Sequence, residues 1–98
     1  MTEPVETGAE TAWRSDRVLD ARGLACPLPV LKARKLMAGM AEGKRLLVEA
    51  TDPMAAIDIP HLCQQDGHRL VRQDRSGAGD AALLRFHIEC GPRAAQTA

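Results

Sequence analysis

Aromatic side chains are almost absent from this sequence of 98 residues, which contains one Trp, one Phe and no Tyr. Proteins that bind single-stranded nucleic acid stack bases on several aromatic rings, and two rings cannot form such a platform. A surplus of positive charge is absent too, because 13 Lys and Arg balance 13 Asp and Glu. Both absences argue against a nucleic-acid-binding protein.

Long apolar runs are also absent. No stretch approaches the roughly 20 apolar residues that are needed to cross a bilayer, and residues 1–12 are acidic and polar. The sequence therefore predicts neither a membrane anchor nor a secretory signal.

Cysteines are few and widely separated. Cys26, Cys63 and Cys90 form neither a C-x-x-C pair nor a spacing typical of zinc ligands. The histidines show no metal-ligand spacing either, so a structural role is the simpler interpretation for them. We expect a cytoplasmic protein with reduced thiols.

The remaining composition, 45% hydrophobic and 27% charged residues, suits one small globular domain. Residues 1–16 lack a sustained apolar period, so we predict a flexible N-terminal tail whose end could be pinned to the body by Trp13. Residues 91–98 are predicted to form a second tail. The folding unit then spans residues 17–90.

Short apolar runs separated by turn residues predict the order strand, helix, strand, helix, strand, strand. The predicted strands are Arg17–Ala21, Arg45–Ala50, Arg69–Gln73 and Leu83–Cys90. A first helix is predicted over Pro27–Met40, with Gly43 in the break after it. Its inward stripe is predicted to contain Val30, Ala33, Met37 and Met40.

One mixed four-stranded sheet with both helices on one face would bury all the apolar stripes, so we predict a two-layer α/β sandwich. The first strand–helix–strand unit should be a right-handed crossover. That connection places Cys26 at the carboxyl edge of its strand, which is a common location for chemistry in open α/β sheets.

The second helix, between Pro53 and Gln65, has two possible starts because Pro60 lies inside the span. Asp52 could cap a helix that opens at Pro53 and bends at Pro60. Alternatively, Asp58 could cap a shorter helix with Pro60 in its first turn. Capping explains both aspartates without acid–base chemistry.

Cys26 is the main candidate for chemistry because it directly precedes the first predicted helix. Helix N-termini favour anions, so a thiolate should form more easily there. Pro27 and Pro29 stiffen the first turn and leave the N–H groups of Leu28 and Val30 to face the sulfur.

Nearby charge should act in the same direction as the helix terminus. Arg22 and Lys32 are close enough in sequence to lower the thiol pKa further. Asp20 could orient Arg22 or the turn. The competing interpretation is that Cys26 merely fills the start of the helix as a small apolar residue, which is the usual role of a free cysteine.

Several segments resemble the small sulfur-carrier proteins of the TusA family, over about Val18 to Cys90. They are Leu19–Leu24, Cys26-Pro27-Leu28-Pro29, Ala50-Thr51-Asp52-Pro53, Asp58-Ile59-Pro60 and Gly67-His68. The C-P-x-P element between strand and helix is the most specific of these. Leu28 departs from family members that have an acidic residue between the prolines, which changes the surface beside the sulfur.

The resemblance implies a sulfurtransferase in the sense of a carrier. Cys26 would receive a sulfane sulfur as a persulfide and relay it. The donor would be a cysteine desulfurase or a rhodanese-like enzyme, and the acceptor a protein of tRNA thiolation, molybdenum cofactor metabolism or dissimilatory sulfur oxidation. No cofactor is implied. Arg22, Gly23, Pro27, Pro29 and Asp52 would support the site.

The first helix is the predicted docking surface for partner proteins, because the corresponding helix meets partners in the resembled family. The predicted partner-binding residues are Leu28, Leu31, Lys32, Arg34 and Lys35. The basic residues among them could equally form an ordinary solvated helix face.

Two other functions stay open at this point. A thiol redox protein would pair Cys26 with Cys63, with Cys90 or with another chain, although the lack of C-x-x-C argues against it. A non-catalytic interaction module would have an inert, buried Cys26. We expect Cys63 and Cys90 to pack in the core.

Overall fold

The computed structural model describes residues 14–77, 79 and 82–92. Trp13, Asp80 and most residues of the two predicted tails lie outside these ranges. The elements follow in the predicted order and are labelled β1 to β4 and α1 to α2 along the chain. Their bounds are β1 Arg17–Ala21, α1 Leu28–Ala38, β2 Arg45–Ala50, α2 Ala55–Asp66, β3 Arg69–Ser76 and β4 Leu83–Glu89.

The four strands form one mixed sheet in the order β1-β2-β4-β3. β1 and β2 are parallel and in register from Arg17 beside Leu46 to Ala21 beside Ala50. β4 is antiparallel to both β2 and β3. The carboxyl ends of β1 and β2 therefore lie side by side, and the loops that follow them meet at one edge of the sheet.

The core lies between one face of the sheet and the two helices, because the apolar residues of each central strand alternate. The fully buried strand residues include Leu46, Val48, Phe86 and Ile88. From the helices, Met37 and Ile59 are fully buried against them. This arrangement confirms the predicted two-layer α/β sandwich with both helices on one face.

The bounds of β1 and β2 agree with the prediction, whereas α1 is shorter than predicted. It ends at Ala38, where the N–H of Gly39 donates to the carbonyl of Leu36 and the N–H of Met40 donates to that of Met37. The predicted helix end at Met40 was therefore too late, whereas Gly43 does lie in the loop after the helix, with φ 88°. Pro29 joins Ala33 and Met37 as a buried residue of α1, and Val30 is partly buried against the core.

α2 begins close to the first of the two alternatives, and Pro60 lies inside it. The carbonyl of Asp52 accepts the N–H of Ala55, and its carboxylate accepts the N–H of Met54. Asp58 lies in the first turn of α2 and does not cap it. The helix ends at Gly67, whose φ of 79° is the left-handed conformation that glycine adopts readily.

Two further differences concern polar segments. β3 extends to Ser76 rather than Gln73, because its pairing with β4 continues through Asp74 opposite Arg85. At the predicted tail boundaries, the Asp16 carboxylate accepts the N–H of Arg45 and the Gly91 N–H donates to Nδ1 of His68. Among the described residues, no helix is long and apolar enough to cross a membrane.

Candidate functional site

The candidate site lies where the β1–α1 and β2–α2 loops meet at the carboxyl edge of the sheet. Gly23 turns the first loop with φ 80°, and its N–H donates to Oγ1 of Thr51 at 2.9 Å. Thr51 belongs to the second loop, so this hydrogen bond holds the two loops together. Cys26 follows three residues later and is exposed.

Asp52 fixes the backbone of Cys26. One carboxylate oxygen, Oδ2, accepts the N–H of Cys26 at 2.6 Å, and the other accepts the N–H of Met54 at 3.0 Å. These two N–H donors lower the pKa of Asp52 from its ordinary value. Asp52 was predicted to support the site and to cap α2, and its carboxylate bridges both segments.

The Cys26 side chain contacts a residue that the sequence interpretation treated only as a possible cap. Its Sγ donates to Oδ2 of Asp58, one turn into α2, at 2.9 Å. The two residues are 32 positions apart, so only the packing of α2 beside the β1–α1 turn brings them together. The D-I-P element marked Asp58 in the sequence, but nothing there indicated its contact with the thiol.

The prediction of an acidic thiol at Cys26 was wrong, because the pKa of Cys26 is raised from its ordinary value. The hydrogen bond to Asp58 is the main cause, followed by desolvation and by the negative charges of Asp58 and Asp52. The N–H of Leu28 donates to the carbonyl of Ala25 rather than facing the sulfur. The carboxylates of Asp58 and Asp52 therefore shift the pKa of this thiol in the opposite direction to the one expected from the helix terminus.

Arg22 was predicted to lower the thiol pKa, but it is paired with Asp20 instead. Its Nε donates to Oδ1 of Asp20 at 2.8 Å, and its backbone N–H donates to the same oxygen. This pairing lowers the pKa of Asp20 to about 2. Asp20 orients Arg22 and the turn, as one sequence interpretation expected. The Arg22 guanidinium is thus paired with the Asp20 carboxylate.

Pro27 and Pro29 occupy the positions predicted for them around the start of α1. Pro27 is the residue before the first helical position, and the Cys26–Pro27 peptide is cis. Pro29 is buried beneath the first turn, whereas Leu28 between them is exposed. The prolines thus flank an apolar side chain that projects next to the thiol.

The predicted docking surface of α1 is exposed. Leu28 and Leu31 are 44% and 51% exposed, and Lys32 and Lys35 line an open groove with Arg17 of β1. Arg34 is different, because its Nε donates to Oδ2 of Asp66 at 2.8 Å and ties α1 to α2. At the start of α2, the apolar residues Met54 and Ile57 are also exposed, and sequence reasoning did not single them out.

The other two cysteines are in the core. Cys63 and Cys90 are 3% and 2% exposed, and burial is the main cause that raises the pKa of each thiol, for Cys63 to about 12. Cys26 is therefore the one accessible thiol of the three. Within the described part of the chain, no group of side chains could hold a metal ion.

Fold and site together define a small α/β sandwich that presents one accessible thiol at the carboxyl edge of its sheet. The family model described as Sulfurtransferase TusA matches residues 17–88. A relative from Bacillus subtilis (strain 168), named "Putative sulfur carrier protein YrkI", is 40% identical over 78 residues, which are 80% of this chain and 99% of the relative. The chain belongs to the TusA family of sulfurtransferases.

The solved structures give the same fold. The crystal structure of a SirA-like protein from Desulfitobacterium hafniense matches with a TM-score of 0.61. It is 21% identical in sequence, and the match covers 76% of this chain and 97% of that one. This likeness concerns the mixed sheet and its two helices.

Proposed function

We propose that this protein carries sulfane sulfur as a persulfide on Cys26 and relays it from a donor protein to an acceptor protein. The observation that carries the proposal is the contrast in exposure among the cysteines: Cys26 is exposed on a loop held by Asp52, and the other two are buried. Membership of a sulfurtransferase family supports the same chemistry.

The transfer needs no redox co-reactant. The Cys26 thiolate attacks the outer sulfur of the donor's persulfide, a new S–S bond forms, and the donor's S–S bond breaks. The donor thiolate leaves and takes up the proton that Cys26 released. In the second transfer, an acceptor nucleophile attacks the outer sulfur, and the Cys26 thiolate leaves.

The exposed face of α1 is the proposed docking surface. Leu28 and Leu31 offer apolar contact near the thiol, and Lys32 and Lys35 add positive charge along the open groove. A partner with acidic side chains around an apolar contact would match this face. Arg34 is left out of this surface because it bridges to Asp66.

The donor proposed is a cysteine desulfurase or a rhodanese-like enzyme. The proposed acceptor belongs to tRNA thiolation, molybdenum cofactor metabolism or dissimilatory sulfur oxidation, as the family resemblance implies. A reducing compartment such as the cytoplasm suits a carrier whose cysteines are all free.

Intact-mass spectrometry tests the carrier function. The protein is incubated with a persulfide-loaded donor beside Cys26→Ser and a Cys63→Ser/Cys90→Ser double variant. We expect a gain of about 32 Da that reductant removes, that Cys26→Ser lacks and that the double variant keeps. No gain with any donor, or a gain spread over all three cysteines, would overturn the proposal.

A further inference from the structure

Asp58 is the charged side chain in direct contact with the reacting sulfur. Its Oδ2 accepts a hydrogen bond from Sγ of Cys26 at 2.9 Å, although the two residues come from different loops and elements. The contact is open to the solvent side, because Cys26 is exposed. Any molecule that reacts with Cys26 must therefore approach within a few ångströms of this carboxylate.

The rest of the local charge has the same sign. Asp52 lies against the Cys26 backbone, with its Oδ2 2.6 Å from the Cys26 nitrogen. The nearby cation of the β1–α1 loop, Arg22, is paired with Asp20. The charged side chains that shift the pKa of the thiol are Asp58 and Asp52, and both raise it.

We infer that Asp58, whose carboxylate contacts Sγ of Cys26, is a specificity-determining residue of the reaction at Cys26: it selects reactants whose attacked end is cationic or neutral over anionic ones. The inference rests on the proposed function of Cys26 as a sulfur carrier. It specifies, in addition, the charge of the donor group that delivers sulfur to Cys26.

The chemistry of the transfer gives this selection a direct cause. When the Sγ–H bond of Cys26 breaks, the new thiolate lies next to the Asp58 carboxylate, and two negative charges at this distance repel each other. A positive group on the reactant lowers that repulsion, whereas a negative group adds to it. A donor protein suited to this site therefore places a Lys, Arg or protonated His beside its persulfide.

The same repulsion acts on the loaded carrier. A persulfide anion on Cys26 would be formed beside the Asp58 carboxylate, which destabilises this anion rather than holding it. This favours onward transfer of the outer sulfur over long retention. Cys26 does not line the cationic groove of α1, which then serves to bind an acidic part of the partner.

Two small reagents of opposite charge test the inference without any sulfur donor. Each alkyl methanethiosulfonate forms a disulfide with the Cys26 thiolate and releases methanesulfinate, one reagent with a trimethylammonium group and the other with a sulfonate. The rates are measured in the Cys63→Ser/Cys90→Ser background at low and high salt, beside a free cysteine peptide of neutral sequence. The measured ratio is the rate with the cationic reagent divided by the rate with the anionic reagent. We expect this ratio to be about fivefold higher for the protein than for the peptide at low salt, and the difference to be smaller at high salt.

The variants assign that preference to one carboxylate. Asp58→Asn keeps the shape of the side chain and should lower the ratio of rates to that of the peptide. The same variant should shift the pH profile of the reaction with neutral iodoacetamide to lower pH. Asp58→Glu should retain the preference. Glu42→Gln removes an equal charge beyond the far end of α1 and should change neither readout.

Several results would overturn the inference. The Cys63→Ser/Cys90→Ser protein with Asp58 in place could show the same ratio of rates as the peptide. This result does not depend on the folding of any Asp58 variant. Asp58→Asn and Glu42→Gln could also change the ratio equally, or the pH profile of Asp58→Asn could stay unchanged. Because no persulfide is used, failure here leaves the mass-spectrometric test of sulfur carriage independent.

Discussion

Cys26 and the pair formed by Cys63 and Cys90 illustrate two ways in which a protein raises the pKa of a thiol. At Cys26 the main cause is a hydrogen bond to a carboxylate on the surface. At Cys63 and Cys90 the main cause is burial. The first cause disappears when a partner neutralises the carboxylate, but the second disappears only when the core opens.

Accessibility, rather than an acidic thiol, therefore distinguishes Cys26, the proposed carrier residue, from the other two cysteines. A raised thiol pKa slows reaction with small electrophiles, because the thiolate is the nucleophile. Its position between two loops still leaves it available to a docked protein. Acidity at the helix terminus, which the sequence suggested, is not required for such a carrier.

The largest expected effect is the difference in alkylation rate between the two regions. In the folded protein, iodoacetamide should modify Cys26 at least about a thousandfold faster than Cys63 or Cys90, since the latter react only after local or global opening. Peptide mapping by mass spectrometry at timed intervals measures the three rates. In denaturant the rates should converge, and rates that already agree in the native protein would contradict the comparison.

The next prediction opens the buried region selectively. A Cβ at Gly91, next to Cys90, would lie 1.8 Å from the carbonyl oxygen of Gly67, whereas a Cβ at Gly39 would meet its nearest atom at 3.7 Å. Gly91→Ala should therefore destabilise the fold by about 2 to 3 kcal/mol, because backbone must shift. Denaturant unfolding measures the loss, and Gly39→Ala is the matched control.

Gly91→Ala should also sharpen the contrast between the thiols. Alkylation of Cys90 should accelerate with the lost stability, and alkylation of Cys26 should not, because its loop is held separately by Thr51 and Asp52. Equal acceleration at both cysteines would mean that the site opens together with the core.

A smaller effect concerns the support of the Cys26 loop. Asp52→Ala removes the acceptor of the Cys26 N–H, so amide hydrogen exchange at Cys26 should become about tenfold faster, while exchange in β2 and β4 stays unchanged. Asp52→Asn keeps an oxygen acceptor and should show a smaller change. Exchange measured by NMR that is unaltered in Asp52→Ala would show that the loop does not depend on this carboxylate.

The sequence was sufficient for the parts of the molecule that depend on local pattern. A short apolar run defined β1 to the residue, alternating apolar residues did so for β2, and the C-P-x-P element located the thiol. The polar residues 74–76 carry no such alternation, so the end of β3 depended on pairing with β4. The Asp58 contact depended on tertiary packing across 32 positions, and no local pattern encodes it.

The smallest predicted effect concerns protons in the buried region. His68 is 8% exposed, and its Nδ1 accepts the N–H of Gly91, which requires an unprotonated nitrogen. Burial is the main cause that lowers the pKa of His68 below its ordinary 6.5. Because the folded-state pKa is the lower one, the stabilisation is present above pH 6.5 and is lost as the pH falls through the folded-state value.

The midpoint temperature of thermal unfolding should thus be lower at pH 5 than at pH 8, with a few degrees of the difference attributable to His68. In His68→Asn the amide oxygen can still accept the Gly91 N–H without titrating, so this variant should lose part of the pH dependence. The alkylation rate of Cys26, corrected for its own ionisation, should be the same in both proteins. A pH dependence of stability that is identical in both proteins would mean that protonation of His68 does not weaken the buried region.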